Sequence, residues 1–132
     1  MRPQTALALA VAVAIGAACA PIEPGLSVEL TDHSIASDRA VVPAGHMVLA
    51  IHNGGTGGHE LEVIRTDAAP DRLAYDTGLA QVTARGVVAE RENIAAGATK
   101  RLSVDLEPGR YVLICNLPGH YAAGMRLALE VR

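Results

Sequence analysis

The chain is 132 residues long, carries a net charge of −3, is half apolar, and has no Trp and no Phe. That length suits one domain, and its core must be aliphatic, drawn from Leu, Val, Ile and Ala with at most three Tyr. Charges of both signs are interspersed without a basic run, which argues against a nucleic-acid partner.

In chain order, residues 1–18 have the layout of an export signal. Arg2 is a minimal positive start, and Ala6 to Ala18 is an unbroken small-apolar stretch. It is shorter than the roughly 20 residues needed to cross a bilayer. Gly16-Ala17-Ala18-Cys19 resembles a bacterial lipobox, with Gly16 where Leu is usual, so Cys19 is expected to carry a lipid. Cleavage after Ala20 is the alternative and would leave Pro21 at the new terminus, a poor site for the ordinary peptidase. A single Arg excludes a twin-arginine signal, so export precedes folding and any metal enters outside the cytoplasm. Residues 19–25 form a linker, and 26–132 form the folded domain.

Leu26, Val28 and Leu30 alternate with Ser27, Glu29 and Thr31, the pattern of a half-buried strand. Further strands are expected at 39–42, 47–53, 59–66, 99–106, 110–115 and 125–131. Turn residues separate them at Pro43-Ala44-Gly45, Gly54 to Gly58, Ala96-Gly97 and Pro108-Gly109. Many short strands with Gly/Pro turns predict an all-β fold, an antiparallel sandwich or barrel. Residues 67–92 lack clean alternation. They are expected to form an irregular or short-helical excursion, with a helix over Asp71 to Gln81 started near Pro70 and weakened by Gly78.

With Cys19 lipidated or removed, Cys115 is the only thiol of the domain, so no internal disulfide forms. His120 follows it by five residues and Met125 follows His120 by five more. Upstream, His59 opens a strand directly after the glycine-rich turn. Singly, a buried Cys, a core Met or a turn His is an ordinary feature. Together they are the donor set of a mononuclear blue-copper site, two imidazoles and a thiolate with a weak axial thioether. His33, His46 and His52 form no compact metal spacing and are expected to be structural or surface residues.

The segment from Pro108 through Cys115-Asn116-Leu117-Pro118-Gly119-His120 to Met125 resembles the C-terminal copper loop of the cupredoxins. Its spacing is most similar to the rusticyanin and sulfocyanin branch. The resemblance implies a Greek-key sandwich holding one type 1 copper ion through His59, Cys115, His120 and Met125. It also implies a monomeric electron carrier rather than an enzyme, since four protein donors leave no vacant position for a substrate. Implied partners are redox proteins such as c-type cytochromes or a terminal oxidase, with no nucleic acid. His120 would be the electron portal, ringed by Leu117, Pro118, Tyr121, Ala122 and Ala123. The chain departs from the family at Glu60, where Asn or Ser is common, and Glu60 is expected to brace the Asn116 region. A copper-trafficking or resistance protein without redox duty is the alternative, although such proteins often use Met-rich tracts and this chain has only Met1, Met47 and Met125. A metal-free adhesion sandwich is a second alternative and would need no aligned donors.

Overall fold

The computed structural model describes residues 23–132. The expected export signal and Cys19 lie outside the described residues. The strands are β1 (Leu26–Leu30), β2 (Ile35–Ser37), β3 (Val41–Val42), β4 (Gly45–Asn53), β5 (His59–Arg65), β6 (Tyr75–Asp76), β7 (Gln81–Val82), β8 (Val87–Ile94), β9 (Thr99–Leu106), β10 (Gly109–Ile114) and β11 (Arg126–Val131). One short helix, α1 (His120–Ala123), lies between β10 and β11.

Two sheets face each other as a sandwich. One has the order β2-β1-β4-β9 and the other β3-β11-β10-β5-β8. Both are mixed rather than purely antiparallel, because β1 runs parallel to β4 and β3 parallel to β11. Their inner faces are aliphatic as expected: Leu26, Val28 and Leu30 meet Leu61, Val63, Leu113 and Leu129 in one cluster. Each such side chain, fully withdrawn from water, contributes roughly 1.5–3 kcal/mol.

The excursion at 67–92 is corrected in two ways. Asp71 to Gln81 form no helix; instead β6 and β7 pair as a small antiparallel ribbon. Residues 87–94 are not part of the excursion but form β8, the edge strand beside β5. Its alternation is hidden because most of its side chains face solvent and two register shifts interrupt its pairing with β5. The same excursion explains why Tyr111 to Ile114 are all buried. Tyr111 and Leu113 face the main core, whereas Val112 and Ile114 face outward into a second cluster with Ile64, Leu73, Val82 and Tyr121. The expected strand at 39–42 shrinks to Val41–Val42, and β2 is an addition.

Two polar side chains, Asn53 and His59, are buried in this frame among the described residues. Asn53, wholly buried at the end of β4, donates through Nδ2 to the carbonyls of Gly57 (2.9 Å) and Ile94 (2.8 Å). Its Oδ1 accepts the Gly55 N–H at 2.9 Å. A fully satisfied buried amide thereby ties the glycine-rich turn 54–58 to the end of β8. Asn53→Ala strands two carbonyls and one N–H away from partners. It is expected to lower the unfolding free energy of the metal-free protein by roughly 2–4 kcal/mol, measured by equilibrium urea denaturation.

Candidate metal centre

Topology delivers the donors to one end of the sandwich. β5 and β10 are antiparallel neighbours, so the start of β5 abuts the end of β10. His59 is the first residue of β5 and Cys115 immediately follows β10. The chain then turns through Pro118-Gly119, with Gly119 in the left-handed region at φ 84°, and enters α1 at His120. Met125 stands just before β11, which returns beside β10.

Three of the four expected donors converge. The Nδ1 atoms of His59 and His120 are 3.1 Å apart, and the Cys115 Sγ lies 3.9 Å from the first and 3.4 Å from the second. Zinc sites place imidazole nitrogens about 2.0–2.1 Å and thiolate sulfur about 2.3 Å from the ion. Spread evenly in a plane, such donors stand roughly 3.6 Å (N···N) and roughly 3.8 Å (N···S) apart, so the observed triangle fits one first-row ion within about half an ångström. A thiolate with two imidazoles suits copper. Met125 is wholly buried in the same cluster as Cys115. Its N–H donates to the His120 carbonyl at 3.1 Å, and its own carbonyl accepts the Cys115 N–H at 3.2 Å. The thioether-bearing residue is therefore fixed by backbone to both loop donors.

The surroundings prepare the donors electrically. Burial pushes the Cys115 thiol above its ordinary value, as do the charges of Glu60 and Glu62, while N–H groups of Glu60 (3.5 Å) and Leu117 point at the sulfur and oppose the rise. Burial and the neighbouring His59 push His120 down, which keeps its imidazole neutral with a lone pair for a metal. Glu60 itself is raised by desolvation first and by Glu62 next, and its carboxylate accepts the Asn116 backbone N–H. The expected contact between Glu60 and the Asn116 region is thus present.

Several residues of the site carry no motif in the sequence. Asn116 joins the donor loop to the excursion: its Oδ1 accepts the Val82 N–H (2.7 Å), its Nδ2 donates to Val82 O (3.1 Å), and its carbonyl accepts from Gln81 Nε2 (2.9 Å). Tyr121 fastens the other side. Its hydroxyl donates to Pro70 O (2.6 Å) and accepts the Leu73 N–H (3.2 Å), while its ring packs against Tyr75 and under Arg126. Tyr121 is therefore buried, not part of an exposed ring around His120 as expected; Pro118, Ala122 and Ala123 are exposed and Leu117 half-buried. Asp32, in the turn after β1, places Oδ1 3.2 Å from His59 Nε2. Thr56 holds this carboxylate through its hydroxyl and its backbone N–H, keeping it at about 2. His46 and His52 are surface residues paired with Asp105 and Glu29. His33 is exposed at the rim of an open depression of about 660 Å³ over the site, beside Asp32, Pro118, His120 and Ala123.

Residues 4–126 match the family model of the cupredoxin-like domain, and the chain belongs to that family. Over 106 residues it is 33% identical to the iron uptake system component EfeO of Yersinia pseudotuberculosis serotype I, a stretch covering 80% of this chain and 23% of that protein. The chain therefore spans less than a quarter of that curated relative. Among solved structures it resembles reduced auracyanin from Roseiflexus castenholzii (TM-score 0.59, 23% identity, 80% of this chain and 94% of that one). It also resembles rusticyanin from Thiobacillus ferrooxidans (TM-score 0.61, 17% identity, 80% and 76%). At these identities the likeness establishes the fold.

Because burial holds the Cys115 thiol protonated at neutral pH, binding a metal as thiolate must expel that proton. One proton per Cu(II) bound is expected from the wild type at pH 7, followed with an indicator dye in weak buffer, and none from Cys115→Ser. Apparent affinity should rise about tenfold per pH unit while the thiol stays protonated.

Proposed function

We propose that this chain is a blue-copper electron carrier that works outside the cytoplasm, with one copper ion held by His59, Cys115, His120 and Met125. The observation that carries the proposal is the convergence of His59 Nδ1, His120 Nδ1 and Cys115 Sγ, all within 4.8 Å of one another, at the buried end of a cupredoxin sandwich. A copper ion bound there would supply one-electron cycling between Cu(II) and Cu(I). The residues supply the rest. Cys115 provides the thiolate, the two imidazoles bind as neutral donors, and the N–H groups of Glu60 and Leu117 hold the sulfur in place. Ligands borrowed from the start of β5, the residue after β10, α1 and the residue before β11 are tied to separate elements, which suits a site that must change charge with little rearrangement. Four protein donors leave no position for a substrate, which favours carriage over catalysis.

His120 is the half-exposed donor, and exposed Pro118, Ala122 and Ala123 flank it. A small apolar rim of this kind suits the brief encounters of electron-transfer proteins. Partners of that kind are c-type cytochromes or a terminal oxidase. In this scheme residues 1–18 direct export, 19–25 link, and 26–132 form the carrier domain. A lipid on Cys19 would hold it at the membrane face of the periplasm.

One observation favours a second role. The similarity to an iron uptake component raises metal handling without redox duty, in which the same donors would keep a metal rather than cycle it. Adding Cu(II) to the purified domain separates the two. An intense visible thiolate-to-copper band that bleaches with ascorbate and returns with an oxidant is the expected result. A colourless complex that holds Cu(I) and does not reoxidise reversibly would favour metal handling.

A further inference from the structure

β1 and β4 run parallel, with Leu30 opposite Asn53, so the turns that follow them emerge side by side at the metal end. The turn after β1 is thereby wedged between both donor loops. On one side the His33 carbonyl packs against Gly124, where an added Cβ would lie 2.6 Å from that oxygen at a φ of +120°. On the other side Asp32 reaches the turn that carries His59.

Asp32 does more than cap that turn. Its Oδ1 accepts the Thr56 N–H at 2.9 Å and the Gly57 N–H at 3.4 Å, and its Oδ2 accepts the Thr56 hydroxyl at 2.8 Å. These bonds alone would explain a turn-capping carboxylate. The remaining contact, Oδ1 to His59 Nε2 at 3.2 Å, reaches a side chain that is almost completely buried. Space for it is cleared by Gly55. A Cβ there would stand 2.5 Å from Asp32 Oδ1 and 2.7 Å from His59 Nε2. An ionised carboxylate only accepts, so His59 Nε2 carries a proton toward Asp32, and in the neutral imidazole the Nδ1 lone pair faces Cys115 and His120.

Building on the copper assignment above, we propose that Asp32 is a positioning residue for the metal centre, fixing the tautomer and orientation of His59 and favouring the oxidised ion. A carboxylate on the outer nitrogen raises the donor strength of the inner one, and its negative charge stabilises the more positive metal state. Thr56 and Gly57 hold the carboxylate at its working position, and Gly55 is the clearance that admits it.

Two measurements test this independently. In ¹⁵N-labelled, metal-free protein, at a pH raised until the His59 ring is neutral, long-range ¹H–¹⁵N correlation should show His59 wholly as the Nε2–H tautomer. Asp32→Ala should give a mixture, whereas Asp32→Asn, which keeps an acceptor oxygen, should retain the wild-type tautomer. In the copper-loaded protein, Asp32→Ala should weaken Cu(II) binding about 10–100-fold with a smaller loss for Cu(I). Each tenfold difference raises the reduction potential by about 59 mV, and Asp32→Asn should fall between Asp32→Ala and wild type. An Nδ1–H or evenly mixed His59 in the wild type would overturn the proposal. So would an unchanged potential in both variants. Absence of the visible copper band from wild type would instead defeat the copper assignment and leave the tautomer result to stand alone. Should Asp32→Ala fail to fold, Asp32→Asn still reports both the tautomer and the potential.

Discussion

A fully buried free thiol facing two imidazole nitrogens is the constraint around which one end of this sandwich is organised. Left to itself it would be a small hydrophobe in an aliphatic core. Here the chain spends backbone on it: N–H groups of Glu60 and Leu117 point at the sulfur, and the Met125 carbonyl receives the Cys115 N–H. The antiparallel pairing of β5 with β10, with Ile114 opposite Glu62, makes this possible by setting the start of one strand beside the end of the other.

The donor loop is held from outside as well as from within. The excursion between β5 and β8 spreads over the outer face of β10, buries Val112 and Ile114, and fastens the loop at Asn116, Gly119 and Tyr121. With no Trp and no Phe available, tyrosine does this joining, and its hydroxyl meets backbone groups that would otherwise lack partners. The turns after β1 and β4 close the remaining side through Asp32 and Asn53. The candidate donors are thus set in a frame whose parts come from four regions of the chain.

Strands with a clean inside–outside alternation, such as Leu26-Val28-Leu30 and Leu127-Leu129-Val131, were legible from sequence because burial on one face imposes a period of two. β8 was not, since an edge strand with two register shifts and mostly solvated side chains has little pattern to show. The apparent helix over 71–81 failed because Leu73 and Tyr75 pack into an outward-facing cluster while Leu79 stays exposed, so the span has no single helical stripe. His59, Cys115 and His120 could be picked out because their chemistry and order are unusual. Asp32 and Asn53 could not: a single Asp or Asn in a turn is commonplace, and their importance depends on the parallel pairing of β1 with β4, which no local pattern announces. Tyr121 looked like a surface residue beside a ligand because the partner that covers it lies some fifty positions upstream.

The central claim is that one ion sits among His59, Cys115 and His120. X-ray absorption at the copper edge of the loaded domain tests it most directly. Two nitrogen scatterers and one short sulfur scatterer per copper, with the sulfur lost in Cys115→Ser, are the expected result. A shell made only of oxygen and nitrogen, or one that survives Cys115→Ser unchanged, would contradict it.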